Sequence, residues 1–226
     1  MAASLKVLRE EAKHCRNCPL YANATQTVFG AGDPHARVML VGEQPGDEED
    51  RRGLPFVGPA GRLLDRALQA AGVDRGTLYV TNAVKHFKWQ PRGKRRLHKT
   101  PAQREIEACH PWLEGEIAAI RPEAICCLGA TAAKALLGPQ FRVSVSRGKL
   151  VDSPHAPRVF ATLHPSAILR LRDEGEREEA FNALARDLKL LRPTAPARSA
   201  PPPDPARSSA PRSSRRPPSR SGRRAG

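Results

Sequence analysis

The chain has 226 residues, 39 % of them hydrophobic and only 4 % aromatic, with a formal net charge of +15. That length suits one domain plus an extension, and the charge points to a polyanionic partner, nucleic acid first. No apolar run is long enough to span a bilayer and residues 1–8 carry no signal-peptide pattern, so a reducing, cytoplasmic setting is expected. The five cysteines are then thiols or metal ligands rather than disulfides.

In chain order, the first feature is C-R-N-C-P-L, in which Cys15 and Cys18 form a C-x-x-C. No strand precedes it, which argues against a thioredoxin-type unit and leaves a metal needing two further ligands, Cys109 being one candidate. Four short β-rich runs follow, at residues 38–41, 78–84, 124–128 and 159–163, with helical patterns between them. The alternation predicts βαβ units, an α/β fold whose parallel sheet is covered on both faces. Helices are expected at residues 60–71, 130–137 and 176–191. Another is expected after Thr100 as cap, with Pro101 in its first turn and Gln103 at its third position, and Pro111 should break or kink it. Cys126 and Cys127, within the third run, read as buried small residues.

Open parallel sheets bind ligands at the carboxyl ends of their strands. That rule selects residues 42–50, 82–86, 129–131 and 164–166. The first loop, G-E-Q-P-G-D-E-E-D, has neither a Walker nor a dinucleotide pattern; it offers Glu43 just past a strand, and its later acids read as solvated or structural. Phe56, in L-P-F-V-G-P-A-G-R-L-L, can stack on a base, and Gly58 and Gly61 open a helix whose amides could receive a phosphate. Asn82 offers an acceptor and a donor suited to a pyrimidine edge, and His164 can donate to an anion forming on a leaving group. The segment G-K-R-R-L-H-K places His98 among Lys94, Arg95, Arg96 and Lys99, cations that should hold its imidazole neutral and able to act as a nucleophile. Beyond residue 192 the chain is almost all Pro, Ser, Ala, Arg and Gly, with eight arginines against Asp204 alone. It is expected to be a disordered basic tail, either tethering DNA or only solubilising.

Together these motifs resemble the iron–sulfur branch of the uracil-DNA glycosylase superfamily, over about residues 15–191. G-E-Q-P-G-D-E-E-D, P-F-V-G-P-A-G-R-L-L-D, T-N-A-V-K, L-G-A-T-A and H-P-S-A-I-L-R occur in the family's order, and the basic insertion is similar to that of the UdgX type, itself related to family 4. The resemblance implies a three-layer α/β/α fold with a central four-stranded parallel sheet in residues 1–192, followed by the tail at 193–226. It implies a 4Fe–4S cluster on Cys15, Cys18, His86 and Cys109, with histidine where family 4 carries a third cysteine. It also implies that Glu43, His98 and His164 are catalytic and that Gly42, Gln44, Phe56, Asn82 and Arg96 bind substrate, Arg96 chiefly by positioning the basic loop. The partner would be uracil-containing DNA, bound by a monomer associated with the nucleoid in a prokaryote. His98 would attack the sugar after the base departs, leaving a covalent adduct. Conventional hydrolysis by water, a non-catalytic DNA-binding module and an electron-transfer protein are the competing readings.

Overall fold

The computed structural model describes residues 4–192. The elements in chain order are α1 (Leu5–Ala12), β1 (Ala31–Gly32), β2 (Val38–Gly42), α2 (Asp47–Arg52), α3 (Pro59–Ala71), β3 (Leu78–Asn82), β4 (Trp89–Arg92), β5 (Arg95–His98), α4 (Gln103–Ile120), β6 (Ala124–Leu128), α5 (Ala130–Leu137), α6 (Val143–Ser146), β7 (Leu150–Val151), β8 (Arg158–Thr162), α7 (Pro165–Leu169) and α8 (Glu174–Leu188). The main sheet has the order β1-β3-β2-β6-β8-β7. Its four central strands are parallel, with Leu40 opposite Val80 and Cys126, and Cys126 opposite Phe160. Two-residue antiparallel strands extend the expected four-stranded sheet at each edge.

Alternation along the strands builds the two cores. Met39, Val41, Ile125, Cys127 and Val159 face α4 and α5, meeting Leu113, Ile117, Ala132 and Leu136. Leu40, Val80, Cys126, Leu128 and Phe160 face the other way, onto Leu64 and Leu68 of α3 and Leu184 and Leu188 of α8. The neighbouring Cys126 and Cys127 therefore lie on opposite faces, both fully buried, as expected of small core residues. Every central strand ends on the same edge, so the loops after β2, β3, β6 and β8 share one rim.

Three local expectations need correction. Helix α4 begins at Gln103 with Ala102 as its cap residue, not at Thr100, because the Glu105 carboxylate folds back to accept the Ala102 N–H at 2.7 Å. Pro111 does not break that helix, which runs through it to Ile120. The proline is on the exposed side, where water can take the carbonyl it leaves unpaired, while Ile106, Cys109, Leu113 and Ile117 anchor the buried side. Third, the basic segment is not a loop. Strands β4 and β5 pair as an antiparallel hairpin turning at Gly93, whose φ of 58° belongs to the left-handed region. No described helix is long and apolar enough to cross a membrane. The basic tail lies outside the described residues.

Candidate active site

A cavity of about 90 Å³ opens on the rim, lined by Gln44, Phe56, Asn82, His98, His164 and Ser166 among others. Gly42, the last residue of β2, makes that convergence possible. A Cβ there would collide with the Asn82 side-chain oxygen and lie 2.5 Å from Phe56 Cζ. Asn82 ends β3 and is 2 % exposed. Phe56 holds a left-handed φ of 55°, a conformation costing about 1–2 kcal/mol for a residue with a Cβ, and its ring centroid stands 5.9 Å from that of His164.

His164 caps α7. Its Nδ1 accepts the Ser166 backbone N–H at 3.1 Å and lies 2.8 Å from Ser166 Oγ. A neutral ring so held carries its proton on Nε2. Burial, helped by His98 and Arg170, pushes its pKa down to about 4, which keeps it neutral at physiological pH. Glu43 begins the loop after β2, its backbone fixed because its carbonyl accepts the Val84 N–H at 3.0 Å. One carboxylate oxygen takes the Thr131 hydroxyl, and the other stands 3.3 Å from His98 Nε2.

His98, at the end of β5, is lowered from its ordinary pKa, as expected, but for a different reason. Burial is the first cause and Arg170 the cation that assists, while Glu43 opposes; the neighbouring basic residues of the hairpin are not the source. Its side chain remains 43 % exposed at the cavity mouth. Arg96 turns away from the cavity. Its Nε donates to Asp47 Oδ1 at 2.5 Å, and its Nη1 donates to Asp50 Oδ2 at 2.6 Å and to Thr25 Oγ1 at 3.2 Å. The guanidinium also lies 5.4 Å from the Phe87 and Trp89 ring centroids. Gln44 clamps the hairpin stem: its amide nitrogen donates to the carbonyls of Lys88 and Lys99 at 3.1 and 3.0 Å, and its oxygen accepts the Lys88 N–H at 3.0 Å. Both residues thus hold the element carrying His98.

Glu49 accounts for another acid of the first loop. It accepts the N–H groups of Gly46 and Gly58 at 3.0 and 2.7 Å, so the Gly58 amide considered for a phosphate already faces a carboxylate. Nothing in the linear sequence marks Glu49 as this bridge or Arg170 as a neighbour of both histidines. Thr131 and Ser166 lie within the strand-end segments, but a lone hydroxyl residue there carries no signal of its own in the sequence.

Cys15, Cys18 and Cys109 occupy one corner. Burial pushes the Cys109 thiol up to about 11, with Cys15 and Cys18 adding to the effect, and burial likewise raises Cys18. The Lys85 backbone N–H donates to Cys109 Sγ at 3.2 Å and the Trp112 indole N–H to Cys15 Sγ at 3.1 Å. Such N–H donors suit ligating thiolates, so these three cysteines fit a cluster's donor chemistry. His86 is buried with its pKa lowered chiefly for that reason, and its Nε2 lies 2.9 Å from Thr27 Oγ1. Among the described residues, no three His, Cys, Asp or Glu side chains are arranged to hold a metal ion as they stand.

The rim-borne cavity on a parallel sheet coincides with a family match. Residues 29–189 match the model of the uracil DNA glycosylase superfamily, and the chain belongs to that superfamily. It is similar to the type-4 uracil-DNA glycosylase of Thermotoga maritima, 38 % identical over 169 residues that cover 74 % of this chain and 84 % of that protein. The type-4 enzyme of Pyrobaculum aerophilum is 38 % identical over 187 residues, covering 78 % and 92 %. A type-5 uracil-DNA glycosylase of the same organism is 32 % identical over 154 residues, covering 61 % and 64 %.

Proposed function

We propose that the protein is a uracil-DNA glycosylase of the UdgX type, which excises uracil from DNA and is then bonded to the abasic sugar through His98. The carrying observation is the 3.3 Å approach of His98 Nε2 to Glu43 at the mouth of a cavity lined by Phe56, Asn82 and His164. A cavity of about 90 Å³ suits a base with its sugar left at the mouth, being far below the ~300 Å³ at which drug-sized pockets begin.

The deoxyuridine is extruded from the stack, Phe56 packs on the uracil face and Asn82 reads its polar edge. As the bond between uracil N1 and sugar C1′ breaks, its electron pair leaves with the base. The His164 Nε2–H donates to the developing anion, a role open to a neutral imidazole. The carboxylate of Glu43 offsets the positive charge growing on the sugar. A lone pair of the neutral His98 ring then forms a nitrogen–C1′ bond. The ring becomes an imidazolium beside Glu43, and no water is consumed. Attack by a held group has the advantage of an effective concentration reaching ~10⁵ M or more over free reactants.

Cys15, Cys18 and Cys109 would hold a 4Fe–4S cluster, with His86 as the fourth ligand. When bound, that group would tie the segment after α1 to α4 and steady the base of the hairpin. Residues 1–192 would form the catalytic domain. The eight arginines of residues 193–226 would tether a monomer to DNA, which in a prokaryote means the nucleoid. Peptide mapping of protein treated with uracil-containing DNA tests the reading. A deoxyribose-bearing adduct on His98 is expected; free uracil in molar excess over protein, with unmodified His98, assigns the nucleophile to water instead.

A further inference from the structure

We infer that Thr131 is a positioning residue for this chemistry, holding Glu43 in the orientation that faces His98; the inference rests on the glycosylase reading above. Residues 129–131 form the strand-end segment to which the mechanism assigns no role. Gly129 follows β6 as the cap residue of α5 with a φ of 87°, and its N–H donates to the Thr162 carbonyl at 2.9 Å, fixing the start of α5 against the end of β8. Thr131, in the first turn of α5, is 8 % exposed, and its hydroxyl donates across the rim to Glu43 Oε2.

A glutamate's last torsion is broad, so one carbonyl anchor on its backbone does not fix where its two oxygens point. Occupying Oε2 with a hydroxyl leaves Oε1 for the ring at 3.3 Å. Without the hydroxyl the carboxylate, 21 % exposed, is free to turn toward water. The packing of α5 does not depend on that oxygen, since Ala132, Ala133 and Leu136 carry its buried face. Thr131 therefore acts through Glu43 and is not among the residues that line the cavity.

The test compares wild type, Thr131→Val and Thr131→Ser as full chains in saturating excess over a deoxyuridine oligonucleotide. Uracil release and denaturant-resistant adduct are timed separately, and DNA affinity and thermal melting are recorded for each. Losing one hydrogen bond to a charged group predicts that Thr131→Val slows both steps about 10- to 100-fold with affinity unchanged. Thr131→Ser, which keeps the hydroxyl, should return both to within about threefold of wild type. Wild-type rates in Thr131→Val, or a Thr131→Ser as slow as Thr131→Val, overturn the inference. His98→Ala separates the underlying reading: an adduct that persists in it rejects capture by His98, while the uracil-release rates still decide the role of Thr131.

Discussion

Replacing Arg96 by methionine should uncouple capture from excision. The change keeps an apolar stem against Phe87 and Trp89 but removes the fork that joins the hairpin to α2. Asp50 is completely buried and keeps only its contacts from Thr25, the backbone N–H at 2.9 and 3.1 Å and the hydroxyl at 2.6 Å. Breaking a fully buried pair costs about 3–5 kcal/mol; the two surviving donors bring this one to about 2–3 kcal/mol. The Asp47 contact is 40 % exposed on the acid's side and adds little. Strands β4 and β5 bond to each other and not to the main sheet, so the loss falls on hairpin docking rather than on global unfolding. At 1.36 kcal/mol per decade, adduct formation should slow by up to about 30- to 150-fold. Uracil release should stay within about threefold, because Glu43, Asn82 and His164 stand on the sheet rim. Single-turnover kinetics with separate readouts of base and adduct make the comparison, with hydrogen exchange reporting on the hairpin amides. Equal slowing of both steps, or unchanged capture, would refute the assignment of Arg96 to hairpin docking.

The lowered pKa of His98 predicts that adduct formation holds its full rate through neutral pH and declines only in acid, at a pH below the ordinary histidine value, as the ring is protonated. A rate that rises in acid would contradict a neutral nucleophile. His164 titrates near 4 when folded against 6.5 in the unfolded chain, so stability should fall as pH drops from about 6.5 to about 4, by about 2–3 kcal/mol, and level off below. Denaturant unfolding across that range should show the slope, and His164→Gln should remove most of it. Gly129→Ala forces a Cβ to within 2.8 Å of His164 Cβ at a φ of 87°, so it should cost about 1–3 kcal/mol and slow uracil release more than DNA binding. Cys109→Ser should abolish the visible absorption of an iron–sulfur centre, whereas an unchanged spectrum in His86→Ala would remove His86 from the ligand set.

Strand periodicity and the strand-end rule made the sheet and its rim legible in the sequence, because buried parallel strands are short apolar runs and their carboxyl ends gather the ligand-facing loops. Gly42, Asn82 and His164 fall in the segments that rule selects, Phe56 is read from its own Gly/Pro-rich motif, and the structure brings the four together around one cavity. What stayed hidden depends on partners distant in sequence. Arg96 reads as one of several cations in a basic run; only the fold brings it to Asp47 and Asp50. Lys94, Arg95, Arg96 and Lys99 suggest a neutral His98, yet Lys94, Arg95 and Lys99 are exposed and Arg96 is paired with Asp47 and Asp50, so burial acts first. Pro111 illustrates the reverse case, a local helix breaker overridden because the opposite face of α4 is anchored in the core.

Incubating the protein with uracil-bearing and thymine-bearing DNA, followed by a denaturing gel, probes the nucleophile most directly. Capture by His98 predicts a band shifted by the mass of the DNA with the uracil substrate alone, lost in His98→Ala while free uracil is still released. Many equivalents of uracil released with no shifted band would contradict it and leave water as the attacking group.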